Sequence, residues 1–139
     1  MKFVLFTIIA ILIVTQITCD DAVRPSAPEA QRLFGSWNWI KSVGGFGGET
    51  LTPESTGTTV KLVFQYDGTF LLYVNDTLNR QSTYYVQKQS LNPGWPEYYY
   101  LWYSHSTSPQ QISYQGSDTL MLFDQCYDCY LNTYVRITQ

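Results

Sequence analysis

Cys126-Tyr127-Asp128-Cys129 carries the spacing with most chemical potential in this chain. Two thiols so close can form a disulfide, act as a redox pair, or supply two ligands to a metal. The ends of a four-residue turn lie within about 7 Å of each other, a span that a disulfide bridges. A redox pair needs a helix N-terminus or another positive field to hold the thiolate. The segment falls between two expected strands, so a structural staple is favoured. A metal would lack ligands, since no second cysteine pair exists and His105 is the sole histidine. Ser104-His105-Ser106 offers neighbours for a nucleophile–base pair, but adjacent residues on extended chain face opposite sides. An exposed loop position is expected for His105. The run Gly44-Gly45-Phe46-Gly47-Gly48 lacks the Lys-Ser/Thr of a phosphate-binding loop and reads as a flexible flap. Glu49, Glu54 and Glu97 have no evident partners, whereas glycoside hydrolysis needs two carboxylates at a set separation. The expectation is no enzyme, no cofactor and no metal.

Composition narrows the classes further. The 139 residues suit one domain of ordinary size. With 45% hydrophobic and 17% aromatic residues, the chain can bury a core, which excludes intrinsic disorder. A net charge of −3 leaves no basic surface for phosphate backbones, so nucleic acid is excluded as a partner.

The first residues read as an address. Met1-Lys2 precedes an apolar run over 3–14, FVLFTIIAILIV, the pattern of a secretory leader. It falls short of the roughly 20 apolar residues of a membrane span. A lone Cys19 follows, and an odd cysteine in an exported protein calls for an explanation. The segment resembles a bacterial lipoprotein signal, in which that cysteine becomes the first mature residue and carries acyl chains. Gln16 and Thr18 depart from the Leu and Gly/Ala that such signals prefer. The resemblance implies residues 1–18 as leader, lipidation at Cys19, and attachment to a membrane. Residues 19–32, polar and proline-containing, are expected to be a tether.

The elements that must position any site are strands. Beyond Gly35 the pattern is one of β-branched and aromatic runs broken by turn residues. Eight strands are expected, over 35–43, 58–66, 69–74, 81–89, 97–104, 111–115, 118–124 and 130–138. Asp67-Gly68 marks a hairpin, and Asn92-Pro93-Gly94-Trp95-Pro96 can only be loop. Short connections make successive strands antiparallel neighbours, and closure into a barrel removes the exposed edges. Val60, Leu62, Phe64, Phe70, Leu72 and Val74 share one apolar face. In Glu97–Ser104 (EYYYLWYS) the two faces compete, Tyr98, Tyr100 and Trp102 against Tyr99, Leu101 and Tyr103. An eight-stranded barrel is either filled by side chains or holds one small ligand, and this aromatic content suits both. If a pocket exists, Trp39, Leu62, Leu72, Tyr84 and Trp102 are expected to line it.

Leu33-Phe34-Gly35-Ser36-Trp37 resembles the opening of a lipocalin. There, a G-x-W tryptophan plugs the closed end of the barrel and a late arginine lies across it. The resemblance implies that Arg136, in Tyr134-Val135-Arg136, meets Trp37, closing first strand onto last by cation–π attraction. Residues 33–139 are expected to form one domain, of which roughly Gly35 to Ile137 is similar to small lipocalin-like domains of bacterial lipoproteins, especially those of Bacteroidetes. The similarity rests on the Trp-rich first strand, GGFGG with Thr52-Pro53, Phe64 with Asp67-Gly68, Asp118-Thr119-Leu120 with Leu122, and Tyr134 with Arg136. It implies an all-β, calycin-type up-and-down barrel in the cell envelope, at the outer membrane or in the periplasm. The expected function is binding of a small hydrophobic or amphipathic ligand. The alternative is a structural protein whose Tyr/Trp-rich exterior meets a protein or glycan, since such residues are enriched at binding hot spots.

Overall fold

The computed structural model describes residues 28–138. The expected leader, Cys19 and residues 19–27 of the expected tether lie outside the described residues. Nine antiparallel strands follow a short helix: α1 (Pro28–Leu33), β1 (Gly35–Gly44), β2 (Glu49–Leu51), α2 (Pro53–Thr56), β3 (Val60–Phe64), β4 (Thr69–Val74), β5 (Thr77–Gln89), β6 (Tyr98–Tyr103), β7 (Gln110–Gln115), β8 (Thr119–Asp124) and β9 (Tyr130–Arg136). Each strand from β3 onward pairs with the next, and β1 pairs with both β3 and β9. The result is a closed eight-stranded barrel. The extra strand β2 is unforeseen; it pairs with Ser42–Gly44 where β3 has diverged from β1.

Turn chemistry matches the residues that carry it. Asn75 and Asp76 both have positive φ (49° and 59°), the geometry of a tight hairpin whose twist suits its strands. At Asp67-Gly68, Gly68 takes φ 86° while the Asp67 carboxylate accepts from the Thr69 amide at 2.9 Å. That backbone hydrogen bond holds Asp67 below its usual carboxylate range. The GGFGG segment forms a turn in which Gly48 N donates to Gly45 O at 3.1 Å. Gly44 must be glycine, because φ is +155° and a Cβ there would collide with the Cys129 carbonyl oxygen.

Pairing register fixes which side chains look inward. Trp37, Leu62, Leu72 and Arg80 stand opposite one another on successive strands, all on one face. The Val86–Leu101 pairing settles β6: Leu101 is fully buried, and Tyr99 and Tyr103 pack with it against the core. Trp102 therefore points outward.

The closed end is filled. Leu33, Trp37, Phe64, Leu120 and Leu122 are fully or nearly fully buried. Phe64 packs 5.2 Å from Phe70 and edge-on to Tyr84 at 5.0 Å, an arrangement aromatic quadrupoles favour. The expected tether needs correcting at its distal end: residues 28–32 belong to the barrel floor. Ala30 and Leu33, three apart on α1, are both wholly buried. Tyr114 OH donates to Glu29 O at 3.0 Å, and Arg32 lies 3.9 Å over the Tyr114 ring while donating to Gly116 O at 2.9 Å.

Candidate binding site at the open end of the barrel

At the closed end the Arg136 guanidinium lies 4.1 Å from the Trp37 ring centroid. It donates to Phe34 O and Arg32 O, both at 2.6 Å, and the Trp37 indole donates to Leu33 O at 2.7 Å. One cation thus ties α1, the α1–β1 junction and β9 together. This arrangement closes the cylinder at this end and leaves the opposite end as the open one.

That opposite end gathers the turn after β1, the Asn75-Asp76 hairpin, the loop over 104–109 and the cysteine loop. Below these loops the inward face changes from apolar to polar, and its hydrogen bonds converge. On one arm, Trp39 Nε1 donates to Ser42 Oγ (2.8 Å), which donates to Asn132 Oδ1 (2.6 Å), and Asn132 Nδ2 donates to Asp124 Oδ2 (3.1 Å). On the other, Tyr103 OH donates to Gln110 Oε1 (3.0 Å), and Gln110 Nε2 donates to Asp124 Oδ1 (2.6 Å). Every donor points toward one carboxylate. Such a chain polarises in one sense and rigidifies the groups it joins.

A cavity of about 320 Å³ opens against this network, lined by Arg80, Tyr103, Pro109, Gln110, Asp124 and Cys126 among others. Its size falls at the small end of ligand sites. Arg80 has no ion pair or hydrogen bond among the described residues; its guanidinium sits 5.3 Å from the Tyr103 ring centroid. Ser82, the next inward residue on β5, buries a hydroxyl oxygen without a partner among the described residues. Cys126 and Cys129 stand at disulfide distance, Cα atoms 5.3 Å apart and joined Sγ to Sγ, so the cysteine loop forms a stapled part of the rim.

A larger hollow of about 440 Å³ lies on the flank where β1 and β3 part, lined by Asn38, Ile40, Lys61 and Tyr73, with Trp39 at its inner edge. Asn38, Lys61 and Tyr73 face outward by register, and Ile40, at the β1 register shift, is 38% exposed. The hollow contains one cation–π contact, Lys61 at 4.6 Å from the Tyr73 centroid, and at its edge the Thr59 amide and hydroxyl donate to Asn75 Oδ1, with no carboxylate at which a longer chain meets. The open end is the better-built site.

Buried tyrosines give the interior a pH signature. Tyr84, Tyr103, Tyr114 and Tyr134 all have hydroxyl pKa values raised above the usual 10, chiefly by burial. The neutral form is the one the fold accommodates. Their contribution to stability is therefore complete below pH 10, and is lost as pH climbs past that value toward the folded-state pKa. Absorbance at 295 nm should show these four ionising only with unfolding. Their ionisation near pH 10 in the folded protein would mean the interior is wet.

The structure distributes the expected pocket residues widely. Leu62 and Tyr84, each 3% exposed, are sealed in the core, and the Tyr84 hydroxyl donates to Gln65 O toward the closed end. Leu72 packs against the same core. Trp39 reaches the flank hollow and begins one arm of the network. Trp102 stacks on Tyr85 on the outer wall, planes 4° apart and centroids 6.1 Å apart, because register turns it away from the interior. None of the five lines the open-end cavity. His105 is exposed, with φ 65° in its loop. Among the described residues no group of three His, Cys, Asp or Glu side chains could hold a metal ion.

The residues that do form the site, Arg80, Tyr103, Gln110, Asp124 and Asn132, were legible by one extra step of strand parity. Arg80 precedes Ser82, Gln110 precedes Ile112, and Asp124 follows Leu122, each by two. Compared with known proteins, the chain matches no family model, no curated protein and no solved structure.

Proposed function

We propose that this chain is an exported, lipid-anchored binding module that holds a small amphipathic molecule in the open end of its barrel. The observation that supports it most is the double chain of hydrogen bonds meeting at Asp124 beside an open cavity. Polar groups set in place before a ligand arrives, above an aromatic floor, are what an orienting pocket requires. The leader pattern and Cys19 supply the reading of export and anchoring to a bacterial envelope. A cysteine pair at disulfide distance is compatible with an oxidising compartment. The reading assigns no catalytic step.

A second reading draws on the outer wall. The Tyr85–Trp102 stack, with Tyr98 43% exposed nearby on the same face, forms an aromatic strip suited to a protein or glycan partner. Native mass spectrometry of protein purified from its own envelope separates the two. A bound small mass supports the pocket. A co-purifying protein or glycan, with the barrel unloaded, supports the strip.

A further inference from the structure

Two unneutralised charges of opposite sign share the lining of the open-end cavity. The only ion pair among the described residues joins Lys88 to Glu97 on the barrel wall, at 3.5 Å. Neither Arg80 nor Asp124 is therefore in an ion pair among the described residues. Both amide hydrogen bonds to Asp124 come from neutral groups, one to each oxygen. A carboxylate has about four acceptor positions, so two remain for a ligand. Arg80 has all five N–H donors unspent, and its guanidinium is braced against the Tyr103 ring.

We propose that the pocket takes a zwitterion: a small molecule whose ammonium group meets Asp124 and whose carboxylate meets Arg80, with an apolar body against Tyr103 and Pro109. The inference rests on the reading of the open end as a ligand site and names the ligand's chemical class. A purely anionic ligand would face Arg80 favourably but would also lie against the Asp124 charge. A purely cationic one would meet the reverse conflict. An uncharged ligand would leave both groups partly desolvated without partners, which is costly for ions. A molecule carrying both charges satisfies each of them, and bidentate guanidinium–carboxylate pairing fixes its orientation.

Isothermal titration of the full-length protein with four matched probes tests this. The probes are L-phenylalanine, its methyl ester (ammonium only), N-acetyl-L-phenylalanine (carboxylate only) and 3-phenylpropanamide (neither charge). Phenylalanine should bind at least tenfold more tightly than each of the others. Arg80→Gln should remove its advantage over the ester, and leave ester affinity within twofold. Asp124→Asn should remove its advantage over the N-acetyl compound. Arg80 is exposed, so that variant keeps its fold and carries the test even where Asp124→Asn does not. If the neutral amide binds as tightly as phenylalanine, the charge pairing is overturned while the pocket stands. If none of the four binds but natively purified protein carries another small mass, the zwitterion is again overturned and the binding reading survives. No binding of any kind overturns both.

Discussion

Trp37→Ala should lower the unfolding free energy by about 4 kcal/mol, the range for deleting a large buried aromatic. Trp37 is fully buried, and three of its interactions disappear together: the hydrogen bond to Leu33 O, the Arg136 cation–π contact and the packing near Tyr114 at 6.5 Å. Its loss removes the surface on which β9 closes against β1. Arg136→Met should cost about 2 kcal/mol, because it removes two charge-assisted hydrogen bonds and leaves the part-buried Phe34 carbonyl without its partner. The two residues act as one unit, so the double variant should lose clearly less than the sum of the single losses. Urea unfolding followed by tryptophan fluorescence measures all three. Additive losses would show that the latch is not a coupled device. As a control, Trp102→Ala removes an outer-wall stack and should cost only about 1–2 kcal/mol.

Asp124→Ala should destabilise the barrel by about 3 kcal/mol although it deletes no apolar surface. The carboxylate is the common acceptor for Gln110 Nε2 and Asn132 Nδ2. Removing it leaves two donors unpaired in a half-enclosed site, at about 1–3 kcal/mol each. The disturbance should reach Ser42 and Trp39 on one arm and Tyr103 on the other, since each donor is oriented by the next acceptor. Gln110→Ala in the Asp124→Ala background should then cost markedly less than in the native protein. Guanidinium unfolding gives the energies. A change below about 0.5 kcal/mol for Asp124→Ala would mean that water already serves these donors and that the network is not preorganised.

Much of the architecture was legible in local signals. Asp67-Gly68 and Asn75-Asp76 set two hairpins because their residues tolerate the backbone those turns demand. Alternation in Val60–Phe64 and Thr119–Asp124 set the buried face. Besides the one-turn helix α2, three features escaped for physical reasons. The helix α1 is six residues long and buries only Ala30 and Leu33, too little periodicity to stand out from a polar, proline-containing run. The strand β2 is three residues long and exists because β1 outlasts its pairing with β3. In β6 nearly every residue is aromatic, so composition could not choose a face; the neighbouring strand's register chose it. The site was harder to read than the fold. Large apolar residues suggested a pocket at Leu62 and Tyr84, but those side chains are what fill a narrow barrel. Open space survives where inward positions turn polar at the strand ends, at Arg80, Gln110 and Asp124, because charged groups do not pack a core closed.

The most direct test of where ligands bind is an amide-detected NMR titration of the isotope-labelled protein with 3-phenylpropanamide and, separately, L-phenylalanine. The expected shifts gather at Arg80, Tyr103, Gln110, Asp124 and Asn132, including the side-chain amides of Gln110 and Asn132. Shifts confined to Tyr85, Tyr98 and Trp102, or spread evenly over the surface, would contradict a binding site inside the open end.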